Sequence, residues 1–199
     1  MAMTTVFTVH PQPAQANAAH SPQRVIKVRG ANPVYAAGEF PNPATRGGPA
    51  PRFTLFEDAA GQKPLCHVAP RTGADGALAV TGPDGAELGA LSLPARGSGR
   101  TRYEMALPDG TRLVGRGGTI GAWILYVVLS PLVLIYNVAG LVGGYGGPDW
   151  HLPTRTAWRS GPGPAPLKFY GMTDKYKVRT GQLDLRVAYA QAVLHEWSG

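Results

Sequence analysis

The chain of 199 residues contains a single cysteine, Cys66. One thiol cannot close an intramolecular disulfide, so the fold must rest on a core of its own, and a reducing compartment is expected. Acids are scarce as well, with 12 Asp and Glu against 19 Lys and Arg, a net charge of +7. That balance points to an anionic partner, lipid headgroups or nucleic acid. The first thirty residues have no basic start and no apolar run of signal-peptide type. Secretion by that route is not expected, and the main domain is expected on the cytoplasmic side.

The signatures of chemistry are missing too. His10, His20, His67, His151 and His195 show no metal-ligand spacing. "GRGG" at 115–118 lacks the Lys-Ser/Thr of a phosphate loop, and "GLVGGYGG" at 140–147 lacks dinucleotide-loop spacing. The only "GSG", at 97–99, is no nucleophile elbow. Cys66 and His67 are neighbours on a strand-like run, so they point to opposite faces and make a poor nucleophile and base. These absences predict a protein that is not an enzyme and holds no metal or cofactor.

What the chain does have is 27 Gly and 19 Pro. Before residue 52 they punctuate "HPQPAQANAAHSPQ" and "GEFPNPATRGGPAP", so 1–51 reads as a flexible arm. Only "RVIKVRG" alternates there, enough for one short strand around Val25 or Ile26. From Arg52 the prolines and glycines fall between apolar runs. "RFTLFEDAAGQKPLCHV", "ALAVTGPDGAELGALSL" and "RYEMALPDGTRLVGR" each read as strand, turn, strand. The turns sit at Asp58–Gly61, Pro83-Asp84-Gly85 and Pro108-Asp109-Gly110, roughly every 25 residues, as in a hairpin meander over 52–118.

Residues 119–147 are an apolar segment. From Gly117 to Pro148 nothing ionises except tyrosine, and the run Ile120–Val142 has the length of about 20 residues that a helix needs to cross a bilayer. Trp123, Tyr126 and Tyr136 are candidate membrane-segment aromatics. Against a simple span stand Pro131 at its middle and its many β-branched residues, which also suit a hairpin buried on both faces. A membrane segment, preferably a bent single span, and a buried strand pair therefore both stay open. Residues 148–199 read as a loop with Trp150 and Trp158, then strands, then the helix "LDLRVAYAQAVLHEW". Asp184 is its expected cap, and it is apolar on most sides, so it should be enclosed rather than laid on a surface.

"FTLFEDAAG", "ALAVTGPDGAELGALS" and the C-terminal apolar helix together resemble the tubby-like superfamily, which includes phospholipid scramblases and LURP-one-related proteins. The resemblance covers about 52–118 and 167–197. It implies a mainly β fold, an antiparallel meander closing into a barrel of about twelve strands around a buried C-terminal helix, with the apolar segment as an insertion. It also implies a binding role at anionic phospholipid rather than catalysis. No ligand motif of the family maps onto this chain. From charge density beside the apolar segment, Arg96, Arg100, Arg102, Arg112 and Arg116 are the candidate anion-binding residues.

The expected function is thus a non-enzymatic, membrane-associated β-domain that binds anionic phospholipid through a basic face. One alternative is a soluble structural or protein-interaction module, with the apolar tract as core or homo-oligomer interface. Another is nucleic-acid binding through the arginines, with Trp150, Trp158 and Tyr170 stacking on bases, which ranks last among the partners. The Gly, Ala, Pro and Arg richness suggests a bacterial source.

Overall fold

The computed structural model describes residues 3–12, 23–43, 48–73, 76–94, 101–117 and 155–198. Among the described residues twelve strands run up and down in chain order: β1 (Thr4–Pro11), β2 (Arg24–Val28), β3 (Val34–Glu39), β4 (Arg52–Phe56), β5 (Pro64–Pro70), β6 (Ala77–Thr81), β7 (Glu87–Ser92), β8 (Arg102–Ala106), β9 (Arg112–Arg116), β10 (Arg155–Arg159), β11 (Leu167–Tyr170) and β12 (Lys175–Arg179). Every neighbouring pair is antiparallel, and β1 pairs with β12 from Thr4↔Arg179 to Thr8↔Lys175. The sheet is therefore a closed barrel with no free edge.

The turns explain the meander. Gly85 and Gly110 take φ of +81° and +83° in the β6–β7 and β8–β9 hairpins. A β-carbon disfavours that region, which is why Asp-Gly marks these turns. Asp84 and Asp109 accept hydrogen bonds from the amides of Ala86 and Thr111, two residues on, which locks each turn. The third turn follows the same logic: the Asp58 carboxylate accepts from the amides of Gln62 and Lys63. The hairpins expected over 52–118 are present as β4 to β9.

Helix α1 (Leu185–Ser198) runs up the lumen. Eight consecutive residues, Val187 to Leu194, are buried, so no face of the helix meets water through this stretch. Geometry makes the helix necessary. Twelve strands about 4.8 Å apart, tilted about 40°, close at a radius of roughly 12 Å. Inward side chains alone leave the axis empty at that size; a helix of about 10 Å diameter fills it. Ala188, Ala190 and Ala192 keep the helix slim, while Phe7, Leu55, Leu78, Leu91, Met105, Leu113 and Val178 point in from the strands. Asp184 caps α1 as expected, accepting from the Arg186 amide at 2.8 Å.

Two expectations are corrected. The segment 1–51 is no flexible arm along its length, since it supplies three of the barrel's strands, β1 to β3. Its prolines lie mostly outside the ladder, in the connections 12–23 and 40–51, and Phe7, Val9, Ile26 and Ala36 alternate inward between them. The stretch after residue 148 is not all loop. Arg155–Arg159 is β10, and its alternation places Thr156 and Trp158 inward with the arginines outward. Among the described residues no helix is long and apolar enough to cross a membrane. The apolar segment 119–147, with Trp123, Tyr126, Pro131 and Tyr136, lies outside the described residues.

Candidate functional site

The two ends of the barrel differ. At the lower end the strands are joined by 29–33, 57–63, 82–86, 107–111 and 160–166, all short, and 180–184 leads into α1. At the upper end the connections are 12–23, 40–51, 71–76, 93–101, 117–154 and 171–174. The long connections are thus gathered on one rim, where a rigid scaffold commonly carries function. The C-terminal turn of α1 closes this end from within. Trp197 donates its indole N–H to the Pro41 carbonyl at 2.7 Å, and the Tyr103 hydroxyl lies 3.3 Å from Ser198 Oγ.

Charge follows the same division. Around the lower end, Arg29, Lys63, Arg112, Arg159, Arg179 and Arg186 are balanced by Glu57, Asp58, Asp84, Glu87, Asp109 and Asp184. The upper rim and wall carry Arg24, Arg52, Arg71, Arg102, Arg116, Arg155, Lys168, Lys175 and Lys177 against Glu39, Glu104, Asp174 and Glu196, with Arg71 also 3.4 Å from Glu87; Lys27 stands one residue from the lower end of β2. Among the described residues the excess positive charge therefore belongs to the upper part of the molecule.

The strand register sharpens this. Arg102 faces Arg116 across β8 and β9, Arg116 faces Ala157 on β10, Ala157 faces Lys168 on β11, and Lys168 faces Lys177 on β12. One outward row across five strands thus holds four cations, two pairs of them directly opposed. Like charges in directly opposed positions destabilise a sheet by up to about 1 kcal/mol. Of these four, only Arg102 has an acidic partner among the described residues, Glu104 at 2.6 Å. Arg155, two residues further up, lies over the ring of Tyr170 at 5.1 Å. Arg24 at the rim stacks on Phe40 at 4.0 Å, and burial lowers its pKa against the opposing pull of Glu196.

Of the arginines expected to bind anions, Arg102 and Arg116 are neighbours in this row, and both are exposed. Arg112 starts β9 at the opposite, charge-balanced end, four residues from Arg116, or about 13 Å along the strand. Arg96 and Arg100 lie outside the described residues. Sequence proximity to the apolar segment did not reveal Arg155, Lys168, Lys175 and Lys177. Their signal is the outward alternation of "RTAWR", "LKFY" and "KYKVR", which shows a common face only once β8 to β12 are known to be neighbours.

Among the described residues, two concavities flank this surface. A groove of about 580 Å³ on the outer face of β1 to β3 is lined by His10, Val25, Lys27 and Tyr35, next to the basic wall. A second, of about 520 Å³ at the lower end, has Asp109 as its only charged lining residue and suits no anion.

Other expected sites resolve differently. Trp158 is fully buried, with its indole over Gly115, so it cannot stack on a base; Trp150 lies outside the described residues. Cys66 faces the core and burial pushes its thiol up to about 12, whereas His67 is exposed and bonds Thr54 Oγ1 at 3.0 Å. The two do point to opposite faces. In the lumen, His195 sits among Tyr103, Trp158, Phe169 and Tyr176, with ring centroids 4.6 to 5.9 Å away. Gln191, one turn before it, is fully buried with neither amide atom hydrogen-bonded among the described residues. Searches among known proteins match this chain to no family model, no curated protein and no solved structure.

Proposed function

We propose that this protein is a non-enzymatic, membrane-associated barrel that rests its basic upper end on anionic phospholipid and places its apolar connection in the bilayer. One observation carries the reading: the connection 117–154, which holds the uncharged tract, leaves the barrel at the rim where the excess positive charge lies. The sheet of the described strands is closed, and α1 occupies its lumen. An uncharged run of this length needs lipid, a partner or a core to cover it. Basic residues at its root favour lipid, because each Lys or Arg near an anionic surface contributes on the order of 1 kcal/mol.

The closed barrel of twelve strands around a C-terminal helix agrees with the architecture that the resemblance to tubby-like proteins implies. That agreement supports membership of the superfamily as part of the proposal. Cys66 supports a non-catalytic role, since a buried thiol with a raised pKa is a poor nucleophile.

Fractionation of the full-length chain tests the reading. The protein is expected to stay with membranes through an alkaline carbonate wash and to be released by detergent. Val133→Asp should shift it to the soluble or aggregated fraction. Release of the unaltered protein by carbonate would overturn the reading and turn attention to a homo-oligomer or a protein partner covering the tract.

A further inference from the structure

We propose that the outer groove across β1 to β3 is a binding site for a small aromatic carboxylate. The warrant is the strand register on that face. His10 on β1 faces Val25 on β2, and Val25 faces Tyr35 on β3. All three point outward, since their chain neighbours Val9, Ile26, Val34 and Ala36 are buried in the core. Two rings thus flank one short side chain, with their Cα atoms about 10 Å apart, two strand spacings. Val25 is too short to fill the space between them. This slot is part of the groove of about 580 Å³, whose lining also includes Lys27, Ala31 and Pro33. Its volume lies within the range of about 300–1,000 Å³ in which proteins hold small ligands.

The lining selects the body of the ligand. Aromatic rings pair with centroids about 4.5–7 Å apart. Two such distances, about 9–14 Å, span the slot even as the outward curve of the barrel widens it above Val25. A planar group over Val25 therefore meets an aromatic ring on each side, a contact that a saturated chain does not gain. The imidazole wall is held in place, with His10 Nε2 2.9 Å from Thr8 Oγ1.

The lining also selects the head. Lys27 stands two residues along β2 from Val25, on the same outer face, and is exposed. Among the described residues it is the only Lys or Arg that lines the groove, and no Asp or Glu does. One cation and no acid suit a single negative charge, a carboxylate rather than a phosphomonoester. Thr8 faces Lys27 on one side and Lys175 on the other, so an anion nearing Lys27 also feels a second cation. The site uses none of Arg102, Arg116, Lys168 and Lys177, so it stands or falls apart from the lipid reading.

Photoaffinity labelling with para-benzoylbenzoate, itself an aromatic carboxylate, tests the site. The full-length chain is irradiated with this probe, in membranes or in buffer, and the adduct is located by peptide mass spectrometry. Adducts are expected on groove residues between Val25 and Tyr35 or at His10, and excess naphthoate should suppress them. The uncharged methyl ester should label about tenfold less, and Lys27→Met should weaken labelling by the carboxylate by a similar factor, the scale of one charge-assisted hydrogen bond. Val25→Trp fills the slot and should abolish labelling. Arg112→Met loses the same charge on the far wall and should label like the parent. Buried Cys66 must stay unreactive toward a thiol reagent in every variant, as the control for folding. If Val25→Trp fails that control, Lys27→Met, a change at an exposed side chain, still decides. Adducts confined to other parts of the chain, equal labelling by the ester, or labelling indifferent to Lys27→Met would overturn the proposal.

Discussion

The hydroxyl oxygen of Tyr176 lies 2.9 Å from Nδ1 of His195, tying β12 to the last turn of the helix it surrounds. The imidazole is otherwise enclosed by aromatic rings from β8, β10 and β11. Burial holds its pKa down, from 6.5 to about 4. A base with a depressed folded pKa is neutral in the native state and charged in the unfolded one below its unfolded value. Its contribution is fully present above about pH 6.5 and is lost as pH falls through about 4. The span corresponds to about 3 kcal/mol as an upper figure. Urea unfolding at pH 7 and at pH 4.5 is expected to show that loss. His195→Phe should flatten the difference between the two, while the carboxylates, Glu196 among them, titrate in both proteins. An equal pH dependence in the variant would contradict the assignment.

Gly115 on β9 exists for Trp158. A β-carbon there would come within 2.5 Å of the indole Nε1 and 2.7 Å of Cε2. The ring is fully buried and cannot swing clear. Gly115→Ala is expected to cost about 1–3 kcal/mol through overpacking. Gly161→Ala, with nothing within 4 Å of the new carbon, should lie within about 0.5 kcal/mol of the parent. Chemical denaturation midpoints distinguish the two. Combining Gly115→Ala with Trp158→Leu should cost less than the sum of the single changes, because the clash vanishes with the ring.

Cys66 offers a reporter of the whole fold. Its side chain is fully buried and its thiol is pushed up to about 12, mainly by burial. At pH 8 it should not react with an aromatic disulfide reagent in the native protein, and should react completely in denaturant. Fast reaction in native buffer would mean that β5 opens locally.

The sequence showed some of this architecture because some of it is local. An Asp-Gly pair needs only its own backbone to declare a turn, so β4 to β9 were legible. The enclosed helix was legible too, since apolar residues on every side need surroundings. Barrel closure was not. It depends on Thr4 meeting Arg179, a pairing across almost the whole chain that no local pattern encodes. The short apolar stretch around Phe7 and Val9 is followed at once by Pro11 and Pro13, which hid a strand inside what read as an arm. The basic row was half legible for the same reason. Arg102 and Arg116 stand close in sequence, while Lys168 and Lys177 join their row only through the strand order.

That row yields a prediction in which stability and function move in opposite directions. Lys168 and Lys177 oppose each other with no acidic partner among the described residues. Lys168→Glu replaces a like-charge pair by an attractive one, so it should raise stability by about 0.2–1 kcal/mol. The same change removes a positive charge from the proposed lipid face and adds a negative one. With Arg116→Glu alongside, binding to vesicles containing phosphatidylserine is expected to fall at least tenfold at physiological salt, on the scale of about 1 kcal/mol for each basic residue. Arg112→Glu with Arg159→Glu makes the same change in net charge at the lower end, and under the proposed docking, which turns that end away from the membrane, it should leave binding nearly unaltered. Flotation with anionic and with neutral vesicles reads both pairs. Equal losses from the two ends would show that net charge alone draws the protein to lipid, and that the basic row has no special part in docking.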